Sequence, residues 1–118
     1  MTIWLTTPVD EQPELSLKRW SVIEFECEAG RERVLVGYCI ENREGRTSQD
    51  VLEMDLVSMV FKTKSGRVYR LIGPPGFDTD ADYVFGRWCQ INDIHEFDDV
   101  SKTVWSAHID AKEALERK

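Results

Sequence analysis

The sequence predicts an α+β domain: a five-stranded antiparallel meander, as a bent sheet or partly open barrel, packed by one main helix near 80–91. Three observations predict it. Residues 20–28 and 34–40 alternate apolar and polar across a short turn, which is the period of half-buried strands. Residues 59–64 and 67–72 repeat the arrangement across Ser65-Gly66. After Gly73-Pro74-Pro75-Gly76, where two prolines remove donors and fix φ, the apolar spacing changes to the helical period.

In chain order, residues 1–17 hold Pro8, Pro13 and scattered acids without sustained period and read as an irregular arm. The domain proper is expected over 18–107, with 108–118 as a tail. In the first hairpin Ile23, Phe25 and Cys27 point one way and Glu24, Glu26 and Glu28 the other. A turn at Ala29-Gly30-Arg31-Glu32 pairs Glu28 with Arg33 and sets Cys27 opposite Val34, Phe25 opposite Val36 and Ile23 opposite Tyr38. The polar stretch 42–48 reads as a loop, and 49–55 as a third strand with Leu52 and Met54 facing inward. In the second hairpin Met59, Phe61, Val68 and Ile72 share the apolar face.

For the helix, Asp78 and Thr79 offer capping oxygens, Thr79 and Asp82 have capping-box spacing, and Asp80 and Asp82 complement the positive helix start. Ala81, Val84, Phe85, Trp88 and Cys89 form the buried stripe, and Gly86 within it suggests close approach to the sheet. Asn92-Asp93 ends the helix. Residues 100–107 read as a last strand with Val104 or Trp105 buried, and 110–118 as a short helix beginning at an Asp110 and Glu113 capping pair.

At 118 residues the chain fits one domain with one core, and 42% hydrophobic content supports it. No apolar run approaches the roughly 20 residues of a membrane span, and the start lacks the basic and apolar regions of a secretory signal, so a cytoplasmic protein is expected. Cys27, Cys39 and Cys89 make no close pair, which argues for buried reduced thiols over a disulfide framework or zinc site.

Charge is the most informative functional signal. The formal net charge is −7, from 22 acidic and 15 basic side chains, which disfavours nonspecific nucleic-acid binding. The acids Asp78, Asp80, Asp82, Asp93, Glu96, Asp98 and Asp99 are opposed in their stretch by Arg87 alone among fixed cations. They form a candidate acidic surface for a partner protein with a basic face. Lys62, Lys64, Arg67 and Arg70 lie in a stretch free of acids and, with Tyr69, offer an alternative: a hairpin that tracks a phosphate backbone while a ring stacks on a base.

Other chemistries fit poorly. Asp78, Asp80 and Asp82 begin like a calcium loop, but the glycine falls at Tyr83 and the bidentate acid at Cys89. Cys89 with His95 or His108 would resemble a thiol–imidazole pair, yet Cys89 lies on the buried stripe. The Gly-Pro-Pro-Gly turn lacks the N–H groups, lysine and hydroxyl of a phosphate loop. No catalytic residue, metal site or cofactor is assigned. A small enzyme whose site has no sequence signature is the remaining alternative.

The phrases LKRWSVIEFE, VGYCIENREGR, SGRVYRLIGPPG and DADYVFGRW resemble small uncharacterised proteins of proteobacterial plasmids and integrated mobile elements, over a span from Leu17 to about Val104. The resemblance implies a mobile-element setting and no activity. In that setting a regulator or inhibitor of a host defence or replication complex is a more natural expectation than a metabolic enzyme.

Overall fold

The structure, a computed structural model, describes residues 12–117. The elements in order are β1 (Glu14–Cys27), β2 (Gly30–Cys39), β3 (Glu44–Thr47), β4 (Val51–Asp55), β5 (Val60–Thr63), β6 (Val68–Leu71), α1 (Thr79–Asn92), β7 (Asp98–Asp99) and α2 (Ser101–Glu116). The class is α+β, but the sheet is not a five-stranded meander. Its strand order is β3-β2-β1-β6-β5-β4, with β7 on β1, and β1 runs parallel to β6. Neighbouring hairpins can be inferred from local alternation, whereas the return of β6 beside β1 is a nonlocal pairing with no local signature. The curled sheet does not close.

The long strand β1 organises the molecule, and it begins at Glu14, inside the stretch expected to be an irregular arm. The rest of that expected arm, residues 1–11, lies outside the described residues. Arg19 sits at φ 47, and the register with β2 shifts between Lys18 and Ser21. This bulge changes parity: Leu15 and Leu17 before it and Trp20 and Val22 after it all point into one core, while Ile23 and Phe25 point to the opposite face. The first core gathers Leu35, Phe61, Tyr69 and Leu71 from the other strands and Val104 from α2. The second lies between the β1–β2 hairpin and α1, with Val34, Val36, Ala81 and Phe85 at its centre.

The β1–β2 hairpin is present, but Cys27 pairs with Gly30 and Phe25 with Glu32, so the turn is Glu28-Ala29 and the register differs by four residues from the expected one. An even shift leaves every side chain on its expected face. Cys27 falls at the exposed tip and is not buried; Cys39 is buried, Cys89 is partly so, and all three are free. Burial raises the thiol pKa of both Cys39 and Cys89, which keeps them neutral near pH 7.

The β5–β6 hairpin pairs Phe61 with Tyr69, and Thr63 N–H donates to Arg67 O, so three residues with Gly66 at φ 92 form its turn. An odd shift exchanges faces: Tyr69 and Leu71 are buried, whereas Ile72 is exposed and Val68 is only half-buried. The expected loop at 42–48 contains β3, which pairs antiparallel with β2, and Gly45 lets it pass close against the first turn of α1. Leu52 and Met54 do not fill the core: β4 is an edge strand, and they are 62% and 39% exposed.

Helix α1 follows local chemistry. Asp78 is its N-cap and accepts from Ala81 N–H, and Asp93 closes it in the left-handed region. Gly86 does not permit close packing, since it is exposed and nothing lies within 4 Å of the Cβ it lacks. Gly86→Ala is therefore expected to stabilise the fold by about 1 kcal/mol, the helix-interior cost of glycine, read as a raised urea midpoint at unchanged m-value.

The expected strand over 100–107 is helix. Asp99 accepts from Ser101 N–H at 2.9 Å, and Ser101, Val104, Trp105 and His108 recur at helical spacing toward the sheet. Val100 N–H donates to Val22 O, and Val22 N–H to Ser101 Oγ, so the first turn of α2 is stitched to β1. Helix-forming residues continue through 110–116, overriding the β preference of Val104 and Trp105. Among the described residues, no helix is long and apolar enough to cross a membrane.

Candidate functional site

The sequence grouped seven acids into one surface, and the fold divides them. Asp78, Asp80 and Asp82 stand at the start of α1, while Asp93, Glu96, Asp98 and Asp99 follow its end. Fourteen residues of helix separate the groups by about 20 Å. Asp78 is committed to structure: besides capping α1 it takes two hydrogen bonds from Arg19, at 3.0 and 2.8 Å. Asp99 holds the first turn of α2. Asp80 and Asp82 are exposed in the first turn of α1.

The second group acquires partners the sequence did not suggest. Strand β7 places Asp98 directly opposite Glu24 and Asp99 opposite Ile23. Facing carboxylates repel, and Arg31 resolves the repulsion by donating from Nε to Glu24 and from Nη2 to Asp98, the latter at 2.5 Å. Arg33 Nε donates to the other oxygen of Glu24 at 2.7 Å. Hydrogen bonds from Arg31 and then Arg33 hold the Glu24 carboxyl below the usual carboxylate range.

Around this clamp lies an open cleft of about 630 Å³ between β1, β7 and the 93–97 loop. Its lining carries Glu24, Glu26, Asp93, Glu96 and Asp98 against Arg31 as the one fixed cation, with Phe25, Ile94 and Phe97 supplying apolar surface. Arg31 is already engaged by Glu24 and Asp98, and Glu26 lies 3.4 Å from it with its side chain 79% exposed. The Asp93 side chain is 88% exposed and pairs with His95, which is itself exposed. Glu96 is exposed. The cleft thus presents three exposed carboxylates, Glu26, Asp93 and Glu96, around the cluster of Glu24, Asp98, Arg31 and Arg33, with Glu26 also accepting from Arg31 Nη1.

Glu24 and Glu26 were missed because alternation identified them only as the solvent face of a strand, and Arg31 because it was read as a turn residue, whereas it lies in β2. The signal that would have found them is the pairing of 98–99 with 23–24, which is nonlocal. No group of three or more His, Cys, Asp or Glu side chains is arranged to hold a metal among the described residues.

The basic hairpin divides as well. Tyr69 is 2% exposed, with its hydroxyl accepting from Arg46 Nε at 2.8 Å, so its ring is not available to a base. Arg67 is 5% exposed and its Nε donates to Gln12 O. Arg70 pairs with Glu14 at 2.5 Å, and Lys62 and Lys64 are exposed.

Acid should weaken the fold. Asp78 is also held below the usual range: burial works to raise it, but the Ala81 N–H and Arg19 outweigh burial. Groups depressed in the folded state contribute stability that is full above their unfolded pKa of about 4 and is lost as pH falls through the folded value. Asp50, raised by burial and then by Glu32, works in the opposite direction. The urea midpoint should fall below about pH 4, and Glu24→Gln should flatten that limb while lowering the neutral-pH plateau. An unchanged acid limb in Glu24→Gln would remove Glu24 from this account.

No family model, curated protein or solved structure matches the chain.

Proposed function

We propose that this chain is a non-catalytic protein-binding module, a mobile-element-encoded regulator or inhibitor, that engages a basic, nucleic-acid-handling partner through the acidic cleft of β1, β7 and the 93–97 loop. The observation that carries this reading is the concentration of Glu26, Asp93 and Glu96 around a cleft whose only fixed cation is already engaged by Glu24 and Asp98. A lysine or arginine entering there meets three carboxylates and finds apolar contact for its methylene stem on Phe97, which is 46% exposed. Asp80 and Asp82, at the other end of α1, extend the negative field and steer approach without sharing the cleft. The nucleic-acid alternative keeps Lys62, Lys64 and Arg70 as outward cations but has lost Tyr69 as a stacking ring. For the enzyme alternative, Glu24 and Arg31 are already committed to each other as an ion pair.

The test is affinity capture from host lysate, with and without nuclease, comparing wild type with the triple variant Glu26→Gln, Asp93→Asn, Glu96→Gln. These side chains are exposed, so melting should be unchanged. At about 0.5 kcal/mol per rim charge, capture should weaken about tenfold and decline with salt. Equal capture by the variant rejects the acidic cleft. Capture that disappears with nuclease and survives the variant moves the function to Lys62, Lys64 and Arg70.

A further inference from the structure

An arginine sits inside the curled sheet without a counter-ion. Arg46 of β3 stands opposite Gly37 of β2, on the side where a Cβ at Gly37 would meet Leu17 and Trp20. From there it reaches Tyr69 of β6, and its Nε donates to the phenol oxygen at 2.8 Å. The two residues are 7% and 2% exposed. A guanidinium does not lose its proton in a protein, so a buried one stays charged, and leaving that charge unpaired is strongly unfavourable. Arg19, Arg31, Arg33, Arg70 and Arg117 all meet carboxylates. Arg46 meets none, and among the described residues its Nη1 and Nη2 have no acceptor.

The gap does not arise for want of a nearby acid. Burial raises the Cys39 thiol, Glu41 adds to that and Arg46 opposes it, so both charges lie near Cys39. Yet Glu41 is turned to Ser16, whose N–H and Oγ donate to its two oxygens at 2.7 and 2.8 Å. Tyr69 repeats the pattern: its oxygen accepts from Arg46, but its own O–H has no acceptor among the described residues. Nor is the fork sealed. Thr47 Oγ1 is the one side-chain nitrogen or oxygen among the described residues that is both closed to solvent and without a partner, so the free end of Arg46 can be reached from outside.

We infer that Arg46 and Tyr69 form an anion site, and that its ligand is a carboxylate. The Nη groups supply parallel donors in one plane, which match the two oxygens of a carboxylate, and the Tyr69 O–H supplies another. Tyr69 belongs to the first core with Leu15, Leu17 and Leu71, so little water screens the charge. A single guanidinium balances a single negative charge there, which selects a monoanion over a phosphate dianion. A carboxylate is also planar, and suits an access limited to the tip of the arginine. Its source is a small free acid or the end of a peptide, which present the same group. The site shares no residue with the acidic cleft and stands independently of the function proposed above.

The probe is sodium acetate, titrated against sodium chloride at equal ionic strength and followed by NMR at the Arg46 Nε–H and the Tyr69 ring. The expected result is a saturable shift with a Kd of about 10 mM. It should be absent in Arg46→Met, and about tenfold weaker in Tyr69→Phe and in Arg46→Lys, which keeps the charge without the fork. At about 100 mM acetate the folding equilibrium constant of wild type should rise about tenfold over its value in chloride, a gain missing from Arg46→Met. If the variants do not fold, the wild-type titration decides, because the Arg46 resonance itself reports the site. No saturable shift up to about 100 mM acetate, an equal response to chloride, or the same Tyr69 response in Arg46→Met overturns the carboxylate site. Acetyl-Ala-Ala and its C-terminal amide separate the sources. Binding of the acid form as tight as that of acetate assigns the carboxylate to a peptide end, and exclusion of both peptides while acetate binds assigns it to a small free acid. Binding of the amide as tight as that of the acid form overturns the choice of ligand.

Discussion

Gly45→Ala is expected to destabilise this fold by about 3 kcal/mol or more, the upper range for forcing atoms into a packed interior. A Cβ on residue 45 would lie 2.3 Å from the Asp80 carbonyl carbon and 2.4 Å from the Ala81 nitrogen. These are backbone atoms of the first turn of α1, so no rotamer change relieves the overlap. Either β3 leaves β2 or the start of the helix lifts from the sheet, and lifting it draws Ala81 and Phe85 out of the second core. It also strains the Asp78 cap and its bonds to Arg19. In a domain stabilised by a total of about 5–15 kcal/mol, that loss is visible by chemical denaturation. Urea unfolding of Gly45→Ala should show a large fall in midpoint, while Gly86→Ala in the same helix rises. If Gly45→Ala unfolds at the wild-type midpoint, the contact between β3 and α1 is not as close as described.

The two glycines show what was legible in the sequence. Both lie in recognisable contexts, but closeness of approach is a property of the partner, and the partner of Gly45 is 35 residues away in the chain. Helix α1 was readable because its cap, stripe and stop are all local: Asp78, Ala81, Phe85 and Asp93 perform their roles within one segment. The first hairpin kept its faces although its register moved, because faces depend only on parity. The second lost them for the same reason, since one extra turn residue placed Tyr69 inward and with it removed the stacking ring of the nucleic-acid reading. The acids Glu96 and Asp98 were readable as charge. That they converge on Glu24, Glu26 and Arg31 was not, because it depends on a two-residue strand whose pairing has no periodic signature. Helix α2 shows the remaining limit: a short β-branched and aromatic run is ambiguous until its contacts at Ser101, Val104 and Trp105 are known.

Trp20→Ala is the second large loss, expected at about 4 kcal/mol from the removal of a fully buried indole. Its cost follows from the bulge. With Arg19 in the left-handed region, β1 gains one residue relative to β2, and that residue is what brings Trp20 to the interior after Leu15 and Leu17. Gly37 lies across from the shift, where a Cβ would sit 3.2 Å from both the Leu17 Cβ and the Trp20 Cα, so the opposite strand has no side chain to spare for filling a void. The indole also reaches beyond the core. Its Nε1 donates to Gly73 O at 2.9 Å, and Gly76 N–H donates back to Trp20 O at 3.0 Å, which fastens both ends of the Gly-Pro-Pro-Gly turn to β1. Across the core its ring meets Trp105 of α2 at 6.2 Å. One side chain thus joins the bulge, the turn leading into α1 and the last helix. Trp20→Phe should recover most of the apolar loss while leaving Gly73 O without its donor, for a remaining cost of about 1–2 kcal/mol. If Trp20→Phe is as unstable as Trp20→Ala, the hydrogen bond to the turn outweighs the packing; if it matches wild type, the turn is held by Gly76 alone.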